Sequence, residues 1–337
     1  MIYSKPWISY LEQLQQLKDR GLIITDEARA LAYLERIGYY RLSGYWYAFR
    51  ERSEAYCPLE PEGRRKFKRG RTDHLTLDSF RPGATFQQAV DLYVFDKRLL
   101  VLDALERIEI GLRVDIAHTL GKLNACAYLK PELLHEDFAQ RVNQQTGLTD
   151  LHKWQENQAR LISRSREAFI LHNKEKYGLP LPIWIACEVW DFGTLSHLFG
   201  GMRESEQDAI SAKYGIANGR VFASWLRSLN YLRNVCAHHS RLWNRNMTDQ
   251  PKKPGRGEVP LFEHAWGNTH IQARPFLLLC IAQFLLMSIN PASSWWLRLA
   301  DLMGDFPDLE DIGLDLKGMG VIDGWQEWEW SKAIKNP

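Results

Sequence analysis

One segment near residue 230 carries the apolar pattern that most restricts the fold of this 337-residue chain. Its apolar residues recur at intervals of mostly three and four, at Phe222, Trp225, Leu226, Leu229, Leu232, Cys236 and Trp243. This spacing puts them on one side of an α-helix, because a helix turns once every ~3.6 residues. A helix with one continuous apolar stripe must bury that stripe against other elements. The segment therefore predicts a helix packed inside a larger helical domain.

The same segment is dense in side chains that bind phosphate or transfer protons: Arg233, Asn234, His238 and His239. Arginine can hold a phosphate with two parallel hydrogen bonds, and histidine exchanges protons near neutral pH. Asn234 and His238 share a helical face that points away from the stripe, whereas Arg233 projects from its edge. Such a set could remove the proton of a ribose 2′-OH, whose oxygen then attacks the adjacent phosphorus without a metal.

Arginine and histidine at this spacing do not by themselves identify a ribonuclease. The chain contains 27 Arg and 10 His. From this composition, chance gives roughly 2.4 Arg–His pairs with about four to six residues between them. The pairs that occur are Arg69/His74, Arg113/His118, Arg166/His172, Arg233/His238 and Arg233/His239. Specificity must therefore come from the surrounding residues.

The surroundings of Arg233 resemble two known patterns. Arg233-Asn234-Val-Cys-Ala-His238 resembles the catalytic motif of HEPN-domain ribonucleases. The continuation from His239 to Arg245 resembles the Abi-like family of phage abortive-infection proteins, of the AbiD/AbiF type. Further blocks that resemble this family, in its order, are residues 37–46, 91–100, 105–113 and 182–196. The resemblance covers roughly residues 5 to 290, which is more specific than a single motif.

The resemblance implies an all-α, HEPN-type helical bundle with an N-terminal helical extension, acting on RNA in antiviral defence. It also implies that two motifs pair across a homodimer. In that scheme His238 is the general acid or base, and Arg233 holds the scissile phosphate and its developing charge. Asn234 orients the histidine or contacts the backbone, and His239 is the alternative for proton transfer.

A second group of polar residues is expected to support the motif. Glu109 and Arg113 lie four residues apart on one helix. They form either an ordinary ion pair or hydrogen bonds that orient the Arg or His of the motif. Arg113 and His118 repeat the Arg–His spacing without the following Asn, and offer a second half of the site within one chain. Glu188 lies among apolar neighbours, where a carboxylate needs a partner. An arginine of the motif is the predicted partner.

Two basic regions near the N-terminus are candidates for RNA contact. Arg41 lies among tyrosines and a tryptophan, which suits base stacking but suits a tight helix junction in the core as well. The run between positions 64 and 71 predicts a phosphate-binding loop, with a merely solvated loop as the alternative. Its basic residues are Arg64, Arg65, Lys66, Lys68, Arg69 and Arg71. Whether this run forms a loop or part of a hairpin stays open.

Composition limits the compartment and the partners. The formal net charge is +2, so RNA contact must depend on local patches. The five cysteines are scattered without a CxxC pair, which predicts a reduced, cytoplasmic protein with neither disulfides nor a zinc site. The longest apolar run, residues 275–289, is shorter than the ~20 residues of a membrane span and predicts a buried helix. The family resemblance makes RNA the expected partner, and the composition signals no metal, other cofactor or membrane.

The expected organisation has three parts. Residues 1–80 form an N-terminal helical segment with the basic loop, 81–290 the HEPN-like helical domain, and 291–337 a Trp-rich tail. Within the second part, residues 85–123 are expected to form the longest helix and residues 183–192 a shorter one. Residues 248–270, with Lys252 among their cations, predict a mobile loop at the rim of the site.

The predicted function is that of an antiphage, metal-independent HEPN endoribonuclease or RNA-binding toxin. The alternative is a non-catalytic RNA-binding protein in complex with a structured non-coding RNA, or the neutralised half of a toxin–antitoxin pair. A toxin silenced by nucleotidylation would need a tyrosine two residues after the motif histidine, and Ser240 stands at that position.

Overall fold

The computed structural model describes residues 7–54, 74–96 and 98–332. Helices dominate these ranges, and the two short strands found there pair with each other. The predicted all-α class is therefore confirmed, whereas the HEPN assignment stays a prediction. The chain forms two compact units: Met1–Asp96 with Leu302–Leu316, and Lys97–Asp301 with Lys317–Pro337. These units do not test the predicted division into residues 1–80, 81–290 and 291–337, which stays a prediction.

The first unit combines helices with a small antiparallel ribbon. Its elements are α1 Tyr10–Asp19, α2 Glu27–Arg36, α3 Tyr39–Trp46, β1 Arg50–Arg52, β2 Thr76–Phe80 and α4 Phe86–Phe95. The two strands pair antiparallel, with Arg50 opposite Phe80 and Arg52 opposite Thr76. In the sequence the two strands flank residues 55–73, which lie outside the described ranges. The basic run of residues 64–71 falls within this segment.

The aromatic segment around Arg41 divides between core and surface. Tyr45 and Trp46 are 1% and 0% exposed, as a tight helix junction requires. Tyr40 and Arg41 of α3 and Tyr47 after it are exposed. The core interpretation therefore applies to Tyr45 and Trp46, and base stacking stays a prediction for the exposed residues.

The single helix predicted over residues 85–123 is wrong, because it is broken at Asp96. Helix α4 ends at Phe95, and Asp96 has a ψ of 62°, outside the helical region. The carboxylate of Asp96 accepts a 2.8 Å hydrogen bond from the hydroxyl of Tyr45, and both residues are buried. A buried carboxylate needs such a donor. This contact directs Asp96 inward at the point where the helix ends.

Helix α5, Arg98–Leu123, is the element on which the second unit is built. It packs against α9, α10, α11, α12 and α14 and buries Ile108, Leu112 and Ile116. The helices that follow are α6 Glu136–Ala139, α7 Asp150–Arg164, α8 Ala168–Tyr177, α9 Ile183–Ala186, α10 Phe192–Gly201, α11 Glu204–Lys213, α12 Gly219–Ala237, α13 Thr269–Gln272, α14 Pro275–Ile289, α15 Trp295–Gly304 and α16 Glu329–Lys332. Short 3-10 turns occupy Tyr47–Phe49, Ala127–Leu129, Pro131–Leu133, Cys187–Val189, Glu263–Gly267, Glu310–Ile312, Leu316–Met319 and Trp325–Glu327.

The buried helix predicted over residues 275–289 is confirmed as α14, with the same bounds. It is buried on nearly all sides and packs against α5 and α12. Among the described residues, no helix combines the length and the apolar character that crossing a bilayer requires.

The Trp-rich tail contributes to the core of the second unit. Trp296 is fully buried, and its ring contacts those of Trp325, Trp328 and Trp330 at centroid distances of 5.8, 6.0 and 4.9 Å. Phe276 at the start of α14 packs against the same cluster. The aromatic side chains of the tail thus add apolar area to the core around α14.

Candidate active site

Helix α12 carries the predicted catalytic motif, and its first turn is fixed by two neighbours. The side-chain oxygen of Asn218 caps the helix by accepting hydrogen bonds from the backbone N–H groups of Arg220 and Val221. Gly219 approaches α11 so closely that a Cβ would overlap Gln207. A side-chain cap and a close backbone approach therefore set where the helix starts.

The apolar stripe of α12 is buried, as the sequence predicts. The stripe residues of the helix, each 0–1% exposed, are Phe222, Trp225, Leu226, Leu229, Leu232 and Cys236. They face a core formed with α5, α10, α11 and α14. The predicted catalytic residues lie outside this stripe: Arg233 and Asn234 are half-buried, and His238 and His239 are exposed. The same helix thus anchors the core and presents the histidines to solvent.

Both histidines lie at the C-terminal end of α12. His238 is the C-cap residue, and His239 has a φ of 54°, in the left-handed region. The N–H of Ser240 donates to the carbonyl of Val235 at 3.0 Å, and that of His239 to Cys236 at 3.1 Å. This is a Schellman motif, in which glycine is the usual residue at the position of His239. A side chain there costs about 1–2 kcal/mol, so its presence favours a functional role.

Arg233 and Asn234 contact each other near helix α5. Nη1 of Arg233 donates to Oδ1 of Asn234 at 3.3 Å. The guanidinium of Arg233 is also close enough to Glu109 on α5 for electrostatic attraction. Asn234 thus orients the arginine in this structure. Its predicted contacts with His238 or with the backbone stay predictions.

Glu109 is the carboxylate around which this part of the site is arranged. Burial raises the pKa of Glu109 above its ordinary value, and the cations of Arg113 and Arg233 offset part of the rise. The negative charge of Asp191 acts in the same direction as burial. One carboxylate therefore attracts two arginines that come from two different helices, α5 and α12.

Arg113 is held by three acceptors. Its Nη2 donates to Oε1 of Glu109 at 3.0 Å and to the carbonyl oxygen of Trp190 at 3.1 Å. Its Nη1 lies 3.5 Å from Oε2 of Glu188. The guanidinium links α5 to the segment that joins α9 and α10, which makes Arg113 a residue that supports the architecture of the site.

The predicted partner of Glu188 is wrong: its carboxylate pairs with Arg113, not with the motif arginine Arg233. The helix predicted over residues 183–192 is also wrong. Helix α9 ends at Ala186, a 3-10 turn spans Cys187–Val189, and the chain is extended at residue 190. The side chain of Glu188 is 47% exposed, so it does not lie in the apolar environment that its neighbours in sequence suggested.

Arg113→Ala should destabilise the protein more at neutral than at acidic pH. The change removes the ion-pair partner of Glu109 and leaves it the weaker attraction of Arg233. The loss in the free energy of unfolding is therefore expected near the lower end of the about 3–5 kcal/mol that breaking a buried pair costs. The pKa of Glu109, already raised in the folded state, would rise further. When the pKa of a carboxyl group is higher in the folded than in the unfolded chain, the folded state loses stability as the pH rises from the unfolded-state pKa to the folded-state pKa. Urea unfolding at about pH 8 and about pH 5 measures the difference.

Arg107→Ala is the matched control on the same helix. Arg107 also forms an ion pair four residues away, at 3.0 Å with Asp103, but the two side chains are 37% and 31% exposed. An exposed pair contributes little, so this variant should lose less than about 1 kcal/mol. If both variants lose the same free energy of unfolding at both pH values, the role assigned to the Glu109–Arg113 pair is contradicted.

His118 lines a cleft whose lining residues do not include Arg233 or Asn234. His118 is exposed on α5 and borders this cleft of about 650 Å³ together with Val114 and Trp184. Glu188, which pairs with Arg113, borders the same cleft as His118. Because Arg113 already has three acceptors, its guanidinium is poorly available as a phosphate grip, which weakens the case for a second motif half in the same chain.

Two further arginines contact α12 or the turn that follows it. Nη2 of Arg245 lies 3.3 Å from the hydroxyl of Tyr231, and its guanidinium carbon lies 5.9 Å from the ring centroid. Arg274 donates to Oδ1 of Asn244 at 2.8 Å, and burial lowers its pKa. Neither is predicted as a site residue. Arg245 belongs to a block that resembles the Abi-like family, whereas no local pattern marks Arg274.

Of the predicted RNA-binding residues, the structure describes Arg41. Arg41 is exposed on α3 of the first unit. The basic run of residues 64–71 lies in the part of the chain that is not described, and its role stays a prediction. Within residues 7–54, 74–96 and 98–332, no group of three His, Cys, Asp or Glu side chains is placed to hold a metal ion.

Comparison with known proteins relates more than half of the chain to one family. The model of the family described as Abi-like protein matches residues 32–244. The matched segment includes Glu109 and Arg113 on α5 as well as Arg233 and both histidines at the end of α12. No curated protein and no solved structure matches the chain.

Proposed function

The chain belongs to the family of Abi-like proteins, and from this membership we propose that it defends its cell against phage by cleaving RNA. The proposed reaction is metal-independent and of HEPN type, and the proposed active form is a homodimer. The observation that carries the proposal is the combination, on one helix, of half-buried Arg233 with two exposed histidines at its end. A fixed cation suits a phosphate grip, and an exposed imidazole suits proton exchange with a substrate.

The proposed cleavage is a transesterification within the RNA strand. His238 removes the proton of a ribose 2′-OH, and the oxygen attacks the adjacent phosphorus. Arg233 binds a non-bridging oxygen of that phosphate and stabilises the negative charge that develops there. The bond from phosphorus to the 5′-oxygen breaks, and a second histidine protonates the leaving oxygen. The products carry a 2′,3′-cyclic phosphate and a 5′-OH.

The second histidine has two sources in this proposal. His239 follows His238 directly and is held in a conformation that favours glycine. The alternative source is the motif of a second copy of the chain. Arg233 and His238 are ~140° apart on an ideal helix, so one copy makes them converge poorly. A paired arrangement lets one copy bind the phosphate while the other transfers the proton.

Purified protein should cleave RNA in the presence of EDTA and leave 2′,3′-cyclic phosphate ends. The reason is that the Arg and His groups supply charge stabilisation and proton transfer without a metal-bound nucleophile. Mass spectrometry of the fragments identifies the ends, because a cyclic phosphate is lighter than a linear one by one water. An RNA with a single 2′-deoxynucleotide at the cleaved position should resist, since the attacking oxygen is missing.

The His238→Ala protein, purified in parallel, is the control for a contaminating nuclease. Cleavage that EDTA abolishes and magnesium restores would contradict the mechanism. Tight RNA binding without cleavage by the wild-type protein would instead favour the alternative function, a non-catalytic complex with a structured non-coding RNA.

A further inference from the structure

A polar cleft of about 1050 Å³ opens beside the N-terminal half of α12. Its walls come from α6, α7, α10, α11 and α12, and from the loop that follows the motif. This volume is slightly larger than the roughly 300–1000 Å³ that ligand pockets commonly occupy. The cleft is distinct from the one bordered by His118.

Two cations in this cleft have no acidic partner among the described residues. The ion pairs at its edge are Arg220–Glu204, Arg141–Asp137 and Lys153–Asp150. Arg227 and Lys252 also line the cleft and are exposed, but neither forms an ion pair with any residue in the described ranges. Once the paired charges cancel, the cleft retains a local positive charge that attracts an anion.

Lys252 reaches the cleft because its loop is attached to α12. The N–H of Lys252 donates to Oγ of Ser224 at 2.9 Å, and its carbonyl oxygen accepts from Nε1 of Trp225 at 2.9 Å. Nε1 of Trp266 holds the preceding residue, Pro251, in the same way. Lys252 is thus held beside Ser224, roughly four helical turns before the end of α12, and not at the rim of the histidine site where the sequence suggested it.

One polar face of α12 connects this cleft to the histidine site. Arg227, Asn230, Asn234 and His238 follow one another at steps of three or four residues, so they lie along one side of the helix. The distance from Arg227 to His238 along the axis is ~16 Å. A single RNA strand that follows this face can have one phosphate at Arg227 and a later one at His238.

Exposed polar side chains line the wall of the cleft. They are the amides of Asn143, Gln144 and Gln145, which follow α6, and the imidazole of His197 on α10. Desolvation lowers the pKa of His197, which favours the neutral imidazole, a group that can both donate and accept. Ser196 on α10 and Gln207 on α11 line the cleft too but are each only 4% exposed. Amide and imidazole groups can bind the polar edges of nucleobases.

We infer that this cleft, with Arg227 and Lys252 as its phosphate contacts, binds the single-stranded RNA segment that flanks the cleaved bond. The inference rests on the proposed function, because it takes RNA as the substrate of the histidine site. A single strand is the ligand that fits, since unpaired bases expose the edges that the wall groups can bind. The polar face of α12 then leads the strand from the cleft to His238.

The test compares the wild-type protein with the double variant Arg227→Gln/Lys252→Gln. Fluorescence anisotropy with a labelled 2′-O-methyl oligouridylate, which cannot be cleaved, gives the binding constant over a range of salt concentrations. The variant should bind about tenfold more weakly at low salt, and its salt slope should fall by about 1.4, since each phosphate contact on a single strand contributes about 0.7. Arg160→Gln/Arg164→Gln removes the same charge from the exposed side of α7 and should change neither quantity.

A second measurement uses the unmodified wild-type protein. Photocrosslinking to a 4-thiouridine oligonucleotide should label peptides that contain residues 143–145 or His197. An unchanged salt slope in the cleft variant, an equal loss in the α7 control, or crosslinks confined to other segments would overturn the inference. If the strand binds through the cleft but wild-type protein cleaves no RNA, the cleft assignment stands and the ribonuclease proposal fails.

Discussion

Arg233→Ala and His238→Ala should each reduce RNA cleavage by at least about 100-fold, because proton transfer by a positioned side chain contributes ~10²–10⁴-fold and a charge-stabilising donor contributes ~10²–10³-fold. His238 is exposed at the end of α12, and Arg233 lies outside the buried stripe. Neither replacement removes core packing, so the fold should persist. Single-turnover cleavage of a defined RNA measures the loss, and thermal unfolding followed by circular dichroism verifies the fold.

Arg166→Ala and His172→Ala are the matched controls. They change the same residue types at nearly the same spacing, and both residues are exposed elsewhere in the chain. Cleavage should be unchanged in both. If His238→Ala retains activity while His239→Ala loses it, the proton-transfer role belongs to His239. Full activity in all of the α12 variants would contradict the assignment of the site to the end of this helix.

Mixing the inactive Arg233→Ala and His238→Ala proteins should restore part of the activity if the site is shared by two copies. A heterodimer then contains one composite site that lacks both groups and one that is intact. Random pairing of equal amounts should give about a quarter of the wild-type number of sites, because about half of the dimers are mixed and each has one intact site. Subunit exchange and the heterodimer fraction can be followed with two differently tagged variants.

Each variant mixed only with itself, at the same total concentration, is the control for residual activity. The contacts of Arg113 with Glu109, Glu188 and the carbonyl of Trp190 favour the two-copy arrangement, because they occupy the alternative arginine of the same chain. No recovery in a verified heterodimer of folded variants would show that the site is built within one chain. Arg113 and His118 would then be the candidates for its second half.

The main helices could be predicted from the sequence because their signals are local. The buried stripe of α12 follows from apolar residues that recur with the helical period, and α14 follows from a long apolar run that Gln283 interrupts. Neighbours along the chain are enough to specify both. The same local pattern singled out Arg233, Asn234, His238 and His239, although nothing in it specified that His239 would adopt a left-handed conformation.

The errors of the sequence analysis concern positions where distant residues decide the structure. Asp96 ends α4 where it meets Tyr45, which lies 51 positions earlier in the chain. Glu188 pairs with Arg113, 75 positions away, and not with the motif. Periodicity carries no information about such pairs, because it depends only on the order of residues within one element.

The sequence by itself determined that this protein is helical, which faces of its helices are buried, and that one helix carries Arg233, Asn234, His238 and His239 close together. The tertiary structure decided which charges meet. It brings Glu109 and Arg113 of α5 to Arg233 of α12, and it anchors Lys252 beside that helix near Arg227. The reason is physical: helix formation depends on local backbone hydrogen bonds and apolar period, whereas the pairing of buried charges depends on how the helices pack around one core.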